Sequence, residues 1–155
     1  EIERRIEVAV GGLPAVGGFS PLDSGETSLI MLDVDNFKAI NDTYGHKAGD
    51  TVLQHLGGTL RRFSRTYPLE GVAGRWGGEE FMVLLGNCNA DAAARVAESI
   101  RKHFAGIEEP DMEPQTVSLG VTQVRRGESA DDVLRRVDDA LYAAKAKGKN
   151  CVVVF

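Results

Sequence analysis

Val72-Ala73-Gly74-Arg75-Trp76-Gly77-Gly78-Glu79-Glu80-Phe81-Met82-Val83-Leu84-Leu85 reads as two strands joined by a glycine turn. The first strand covers Val72 to Trp76 and the second Glu80 to Leu85. Gly77-Gly78 marks a hairpin, because glycine tolerates the positive φ that tight turns use. Upstream, Ser28-Leu29-Ile30-Met31-Leu32-Asp33 is a short apolar run ending in an acid, the pattern of a buried strand. If the two strands are neighbours, Asp33 and the Glu79-Glu80 pair meet at one edge of a sheet.

The rest of the chain supplies helices around that sheet. A helix is expected over about Asn36 to Thr43, with Asp35 as its N-cap, and Tyr44-Gly45-His46 breaks it. The next helix starts near Asp50 and carries Val52, Leu53, Leu56, Leu60 and Phe63 on one face. Gly57-Gly58 inside it costs on the order of 1 kcal/mol per glycine relative to Ala, which close helix packing would explain. Pro68 closes that region. Asp91 to Phe104 is helical, with Ala93, Val96, Ala97, Ile100 and Phe104 inward. Thr116 to Val124 alternates Val117, Leu119 and Val121 and reads as a strand with a core on one side. Val133, Leu134, Val137, Leu141 and Ala144 mark the last long helix, ended by Gly148. Cys151 to Phe155 is a final strand. At the front, Ile2, Ile6 and Val10 form a helical stripe, and residues 11–28 read as a Gly/Pro/Ser-rich loop. The order predicts an α/β or α+β layer fold: a mixed sheet with helices on one or both faces.

The 155 residues fit one domain, with 1–27 as a lead-in and 28–155 as the functional unit. Eighteen Lys+Arg against twenty-three Asp+Glu leave a net charge of -5, which disfavours a nucleic acid polymer as partner. It leaves a small phosphorylated ligand open. No apolar run approaches the roughly 18 residues that span a bilayer. The opening EIERRIEVAV is too charged for a signal peptide. Cys88 and Cys151 are too few for a disulfide framework or a cysteine zinc site, so a cytoplasmic setting is the default. The chain opens on Glu1 rather than Met and reads as a piece of something longer.

The acids admit two readings. A lone Asp at a strand end before a helix is most often an N-cap, and a Glu pair after a turn is usually a solvated tip. Both clusters at one sheet edge would instead supply the hard oxygens that magnesium shares with phosphates, and small glycines would let backbone and ligand approach. Lys145 and Lys149 sit four apart at the end of the last helix. There they either complement the helix dipole or aim at a polyphosphate. His46 reads first as a loop or cap histidine.

Arg75-Trp76-Gly77-Gly78-Glu79-Glu80-Phe81 resembles the GGDEF signature, in its GGEEF form, of the diguanylate cyclases. The blocks Asp33-Val34-Asp35-Asn36-Phe37-Lys38-Ala39-Ile40-Asn41-Asp42 and Gly45-His46-Lys47-Ala48-Gly49-Asp50 resemble its upstream part. Ser118-Leu119-Gly120-Val121 and Ala140 to Asn150 resemble its downstream part, and the likeness spans 28–155. It implies a palm-like nucleotidyl cyclase fold and the condensation of two GTP into cyclic di-GMP with loss of two pyrophosphates. Each domain would hold one GTP, so catalysis needs a homodimer of facing half-sites. By the same resemblance Asp33, Glu79 and the Val34 carbonyl bind Mg2+ or Mn2+, and Glu80 lies near the ribose. Asn41 and Asp50 read the guanine edge, whose N1–H and N2–H2 donors an Asp can accept from. Phe37, Lys38, Lys145 and Lys149 serve the phosphates, and His46, Gly77 and Gly78 belong to the substrate-binding set. An upstream sensor, cytoplasmic or membrane-bound, would set the activity.

Two departures stand out. The Arg-x-x-Asp product-inhibition site of many members falls on Pro68 and Gly71, and nearby Arg65 has no Asp three residues on. The usual inhibition by product is therefore expected to be absent. At the front, Val10-Gly11-Gly12-Leu13-Pro14-Ala15-Val16-Gly17-Gly18-Phe19 keeps only Gly-Leu-Pro and the Phe of the family's opening block. Rival readings are a catalytically weak module that binds GTP or cyclic di-GMP, and another palm-type cyclase or polymerase.

Overall fold

The apolar run after Ser28 becomes the central strand β1, Thr27–Val34, in a computed structural model describing residues 26–66 and 71–155. Successive side chains of a strand point to opposite faces. Ile30 and Leu32 enter one apolar core, Leu29 and Met31 another, and all four are buried. After β1 come α1 (Phe37–Tyr44), α2 (His46–Thr66), β2 (Gly71–Arg75), β3 (Glu80–Gly86), α3 (Ala90–Ala105), β4 (Val117–Gln123), α4 (Ala130–Ala146) and β5 (Val152–Val154). The strands lie in the order β2-β3-β1-β4-β5. Pairing is antiparallel except between β4 and β5. Helices α1, α2 and α3 cover one face through residues such as Ile40, Leu56 and Ile100. Helix α4 covers the other through Val133, Val137 and Leu141. This is the palm-like α+β layout expected, with helices on both faces. Each fully buried aliphatic side chain contributes roughly 1.5–3 kcal/mol, so the two cores hold the sheet from both sides.

Several local expectations shift. Thr27 belongs to β1 rather than to the loop read over 11–28, and Ser28 lies in the strand as its apolar run implied. Helix α1 is capped by Asn36, at φ 55 and with no side-chain cap bond, so Asp35 is not its N-cap. Helix α2 starts at His46, four residues before Asp50. A single residue, Gly45 at φ 92, turns the chain, and its carbonyl accepts from the amides of Ala48 and Gly49. The Gly-Gly hairpin forms as read, with Arg75 opposite Phe81, yet neither Gly77 nor Gly78 has positive φ. The loop spans residues 76–79 and closes by other means. The Trp76 amide donates to the Glu80 carbonyl at 2.8 Å, and Arg75 Nε donates to the Gly78 carbonyl at 2.8 Å. At Gly57 and Gly58 an added methyl would touch nothing within 4 Å, so close packing does not explain them. Gly57 instead borders a groove of about 230 Å³ with Leu60, Arg61, Gly74 and Arg75. The stripe of residues 1–10, the front block 10–19 and Pro68 lie outside the described residues.

Strand β4 differs most from its reading. Val117, Leu119 and Val121 face the α2/α3 core as expected, but Ser118, Gly120 and Thr122 are buried too. They form the seat of α4. A Cβ on Gly120 would lie 2.4 Å from the Leu141 amide nitrogen and 2.5 Å from the Val137 carbonyl oxygen. Only glycine lets the helix backbone come this close. Arg136 fastens the same contact: Nε donates to Thr122 Oγ1 at 2.6 Å, Nη2 to the Gln123 carbonyl at 2.7 Å, and the guanidinium pairs with Glu128.

Asp35 is a structural acid. It is buried, and its carboxylate accepts from Thr116 Oγ1 at 2.7 Å, Ser118 Oγ at 2.6 Å and the Asn150 amide at 3.0 Å. It joins the end of β1, the start of β4 and the turn after α4. Asp35→Ala leaves these donors unpaired, each worth about 1 kcal/mol or more, so urea unfolding should show a loss of about 3 kcal/mol. Glu128 gives a pH test. Its hydrogen bonds with Arg136 hold its carboxyl below the ordinary glutamate range. The folded value lies below the unfolded one, so this contribution is present above pH 4.5 and is lost as pH falls through the folded value. Glu128→Gln should lower stability at neutral pH and flatten the acid limb of stability against pH.

Candidate active site

The register of the sheet creates the site. Antiparallel pairing sets Asp33 on β1 opposite Glu80 on β3, and Ser118 of β4 flanks Asp33 on its other side. The two acidic clusters therefore meet at one sheet edge, as the spacing requires. Helix α4 crosses that face with Lys145 in its last turn, and the ammonium donates to Asp33 Oδ2. Asp33 is only 4% exposed, and its Oδ1 is buried without a hydrogen-bond partner. Burial raises its pKa to about 6 against the pull of Lys145, and the charges of Glu79 and Glu80 push the same way as burial. One ammonium does not satisfy this carboxylate.

An orphaned carboxylate oxygen beside two further acids suits a hard cation. Among the described residues no three His, Cys, Asp or Glu side chains form a metal cage by themselves. The unmet Asp33 oxygen, with the charges of Glu79 and Glu80 acting on it, fits a divalent ion only as a partial set, to be completed by other oxygens. That is how Mg2+ usually binds, shared between a carboxylate or two and phosphates.

The two lysines behave differently from a matched pair. Helix α4 ends at Ala146, and the Lys149 amide donates back to the Ala144 carbonyl at 3.1 Å across Gly148, which has φ 120. This is the αL helix ending that glycine favours. Lys149 thus lies past the helix, exposed, and its ammonium donates to Asn36 Oδ1. That contact holds a cation at the entrance of α1, beside Phe37 and the exposed Lys38.

A further group gathers where α1 meets α2. Asn41 is half-buried, and a Cβ built on Gly49 would lie 1.9 Å from Asn41 Oδ1 and 3.2 Å from Phe37 Cζ. Gly49 therefore makes room for the Asn41 amide, a role that its place within a matched block did not reveal. Asp50 follows it, exposed, and His46 opens α2, also exposed. Asp33, Glu80 and Lys145 are brought together, as are Phe37, Asn41 and Gly49. Arg75, which bonds the Gly78 carbonyl, is another residue whose role needed the folded hairpin.

Residues 22–151 match the family described as Diguanylate cyclase, GGDEF domain. Diguanylate cyclase DgcM of Escherichia coli K12 is 45% identical over 126 residues, covering 81% of this chain and 30% of that protein. The active GGEEF domain of a diguanylate cyclase from Vibrio cholerae superposes with a TM-score of 0.77 at 37% identity, over 84% of this chain and 83% of that one. The GGDEF domain of DgcB from Caulobacter crescentus, solved in complex with c-di-GMP, gives a TM-score of 0.76 at 34% identity, over 83% and 77% of the two chains. The chain spans about a third of the length of the curated relatives it matches. The match runs through every strand that frames Asp33, and the chain belongs to the GGDEF-domain diguanylate cyclase family.

Proposed function

We propose that residues 28–155 form a catalytic unit that joins two GTP molecules into cyclic di-GMP, releasing two pyrophosphates. The observation that carries this reading is the convergence of Asp33, Glu80 and Lys145 at one sheet edge, in a chain of the cyclase family. In each half-reaction a 3′-oxygen bonds to the α-phosphorus of the facing GTP. The bond from that phosphorus to the bridging oxygen breaks, and the hydroxyl proton leaves. Such a reaction asks the protein for alignment and charge neutralisation rather than covalent help.

The residues divide that work. Asn41 and Asp50 hold the guanine edge by complementary donors and acceptors. Phe37 and Lys38 at the start of α1, with Lys145 and Lys149, face the triphosphate, and Lys149 acts there as a point charge. Gly77 and Gly78 leave room for the nucleotide beside the hairpin, and Glu80 lies by the ribose hydroxyl. His46 stays in the substrate-binding set as the opening residue of α2. Asp33, Glu79 and the Val34 carbonyl would hold Mg2+ or Mn2+, which when bound neutralises phosphate charge and lowers the pKa of a hydroxyl. Since one domain holds one GTP, two copies must face each other. Regulation would come from a sensor region outside this chain, and the setting is cytoplasmic. Among the described residues no helix is long and apolar enough to cross a membrane.

Incubation with GTP and Mg2+ should yield cyclic di-GMP on chromatography. Cyclic GMP, or bound but unchanged GTP, would overturn the assignment. Asp33→Ala and Glu79→Ala should each lower turnover on the order of a thousandfold while circular dichroism stays that of the wild type. Specific activity should rise with protein concentration, and a flat series would sink the half-site mechanism.

With Pro68 and Gly71 in place of the Arg-x-x-Asp pair, product should bind through the guanine-reading residues. Cyclic di-GMP affinity measured by calorimetry should collapse in the Asn41→Ala/Asp50→Ala double variant. Tight binding that survives both changes would show a separate product site.

A further inference from the structure

Gly148, Lys149 and Asn150 follow α4 with φ values of 120, 63 and 46. Glycine adopts such angles freely, but an L-residue in the left-handed region costs roughly 1–2 kcal/mol. Strain of this kind persists only where the surroundings over-determine the backbone. Asp35 holds the Asn150 amide from the β1 side, at 3.0 Å. From the opposite layer, Arg101 of α3 reaches across and donates from Nη1 to Asn150 Oδ1 at 2.7 Å.

Arg101 is itself held rigid. Its Nε donates to Glu98 Oε2 at 2.8 Å and its Nη2 to Glu98 Oε1 at 2.7 Å, one turn back on the same helix. That two-pronged pairing fixes the guanidinium plane and leaves Nη1 directed at Asn150. The Arg101 side chain is 18% exposed, so the guanidinium is largely held within the fold while the Asn150 end of the contact faces solvent. The residue clamped next to Asn150 is Lys149, whose ammonium stands at Asn36 at the head of α1. Arg101 lies outside every block that carries the family resemblance.

We propose that Arg101 is a positioning residue for Lys149. It clamps the left-handed turn after α4, so that the Lys149 ammonium is held at the entrance of α1, where the terminal phosphates of a nucleoside triphosphate lie. This rests on the nucleotide reading of the site given above. Without the clamp the turn relaxes to ordinary φ values and the ammonium loses its fixed place. The guanine-reading group on α1 and α2 is untouched.

Calorimetry of the whole chain with Mg2+ tests this, using a non-hydrolysable GTP analogue and GMP as paired probes. Arg101→Met should weaken the analogue about 5–10-fold, near the tenfold that 1.4 kcal/mol represents, while GMP affinity changes less than twofold. Asn150→Gly keeps the backbone angle accessible but removes the acceptor, and should give the same split even if Arg101→Met folds poorly. In a double-mutant cycle, Arg101→Met should add nothing to Lys149→Met. Equal losses for analogue and GMP, full additivity in the cycle, or wild-type affinity in both Arg101→Met and Asn150→Gly would each overturn the proposal and reduce Arg101 to a packing residue. If Lys149→Met binds the analogue as tightly as the wild type, the phosphate reading of Lys149 fails instead, and the proposal falls with it.

Discussion

A strand buried on both faces can carry a charge only near its end. Strand β1 is such a strand, with Leu29 and Met31 against α4 and Ile30 and Leu32 against α2 and α3. Asp33 sits at that end with one oxygen on Lys145 and the other unmet. Desolvation of an ionised carboxylate is costly unless opposite charge and donors are supplied. Helix α4 supplies part of this through Lys145, whereas the hairpin brings Glu79 and Glu80, whose charges add to the cost. The protein folds around a deficit of positive charge at one point.

Asp33 and Asp35 show how far residue type alone can mislead. They stand two positions apart in the same motif and face opposite demands. Asp35 is saturated by two hydroxyls and an amide, and those partners lie 81, 83 and 115 positions away in sequence. Local pattern reads Asp35 as a helix cap because N-caps are the commonest use of an acid there. Only tertiary contact shows that it is a strut. The hairpin, the buried strand and the inward face of α3 were legible because alternation and helical spacing are local. The seat of α4 was not, because Ser118, Gly120 and Thr122 look like a solvated face until a helix lies on them. The early start of α2 was hidden by the polar run from His46 to Lys47, which a glycine at φ 92 allows to begin a helix at once. At the site, resemblance supplied the acids and lysines, whereas Gly49 and Arg101 matter only through what they touch.

The net charge of -5 conceals a local division of labour. Acids gather at the sheet edge, and cations approach it from separate supports, Lys145 from a helix and Lys149 from a turn. Each cation is tied to a protein oxygen, Lys145 to Asp33 and Lys149 to Asn36. Each contact limits the conformations open to a long, flexible side chain.

The contact at Gly120 has a consequence for how this site tolerates change. Helix α4 rests on the sheet backbone to backbone, at distances that a single methyl would violate. At Gly120 its height above β4 is therefore set by main-chain atoms, beside the buried side chains of Val133, Val137 and Leu141. Further along the same helix, Lys145 stands over Asp33. The seat acts as a mechanical stop: a substituent at Gly120 would lift the helix that carries Lys145, and the charge pair with it.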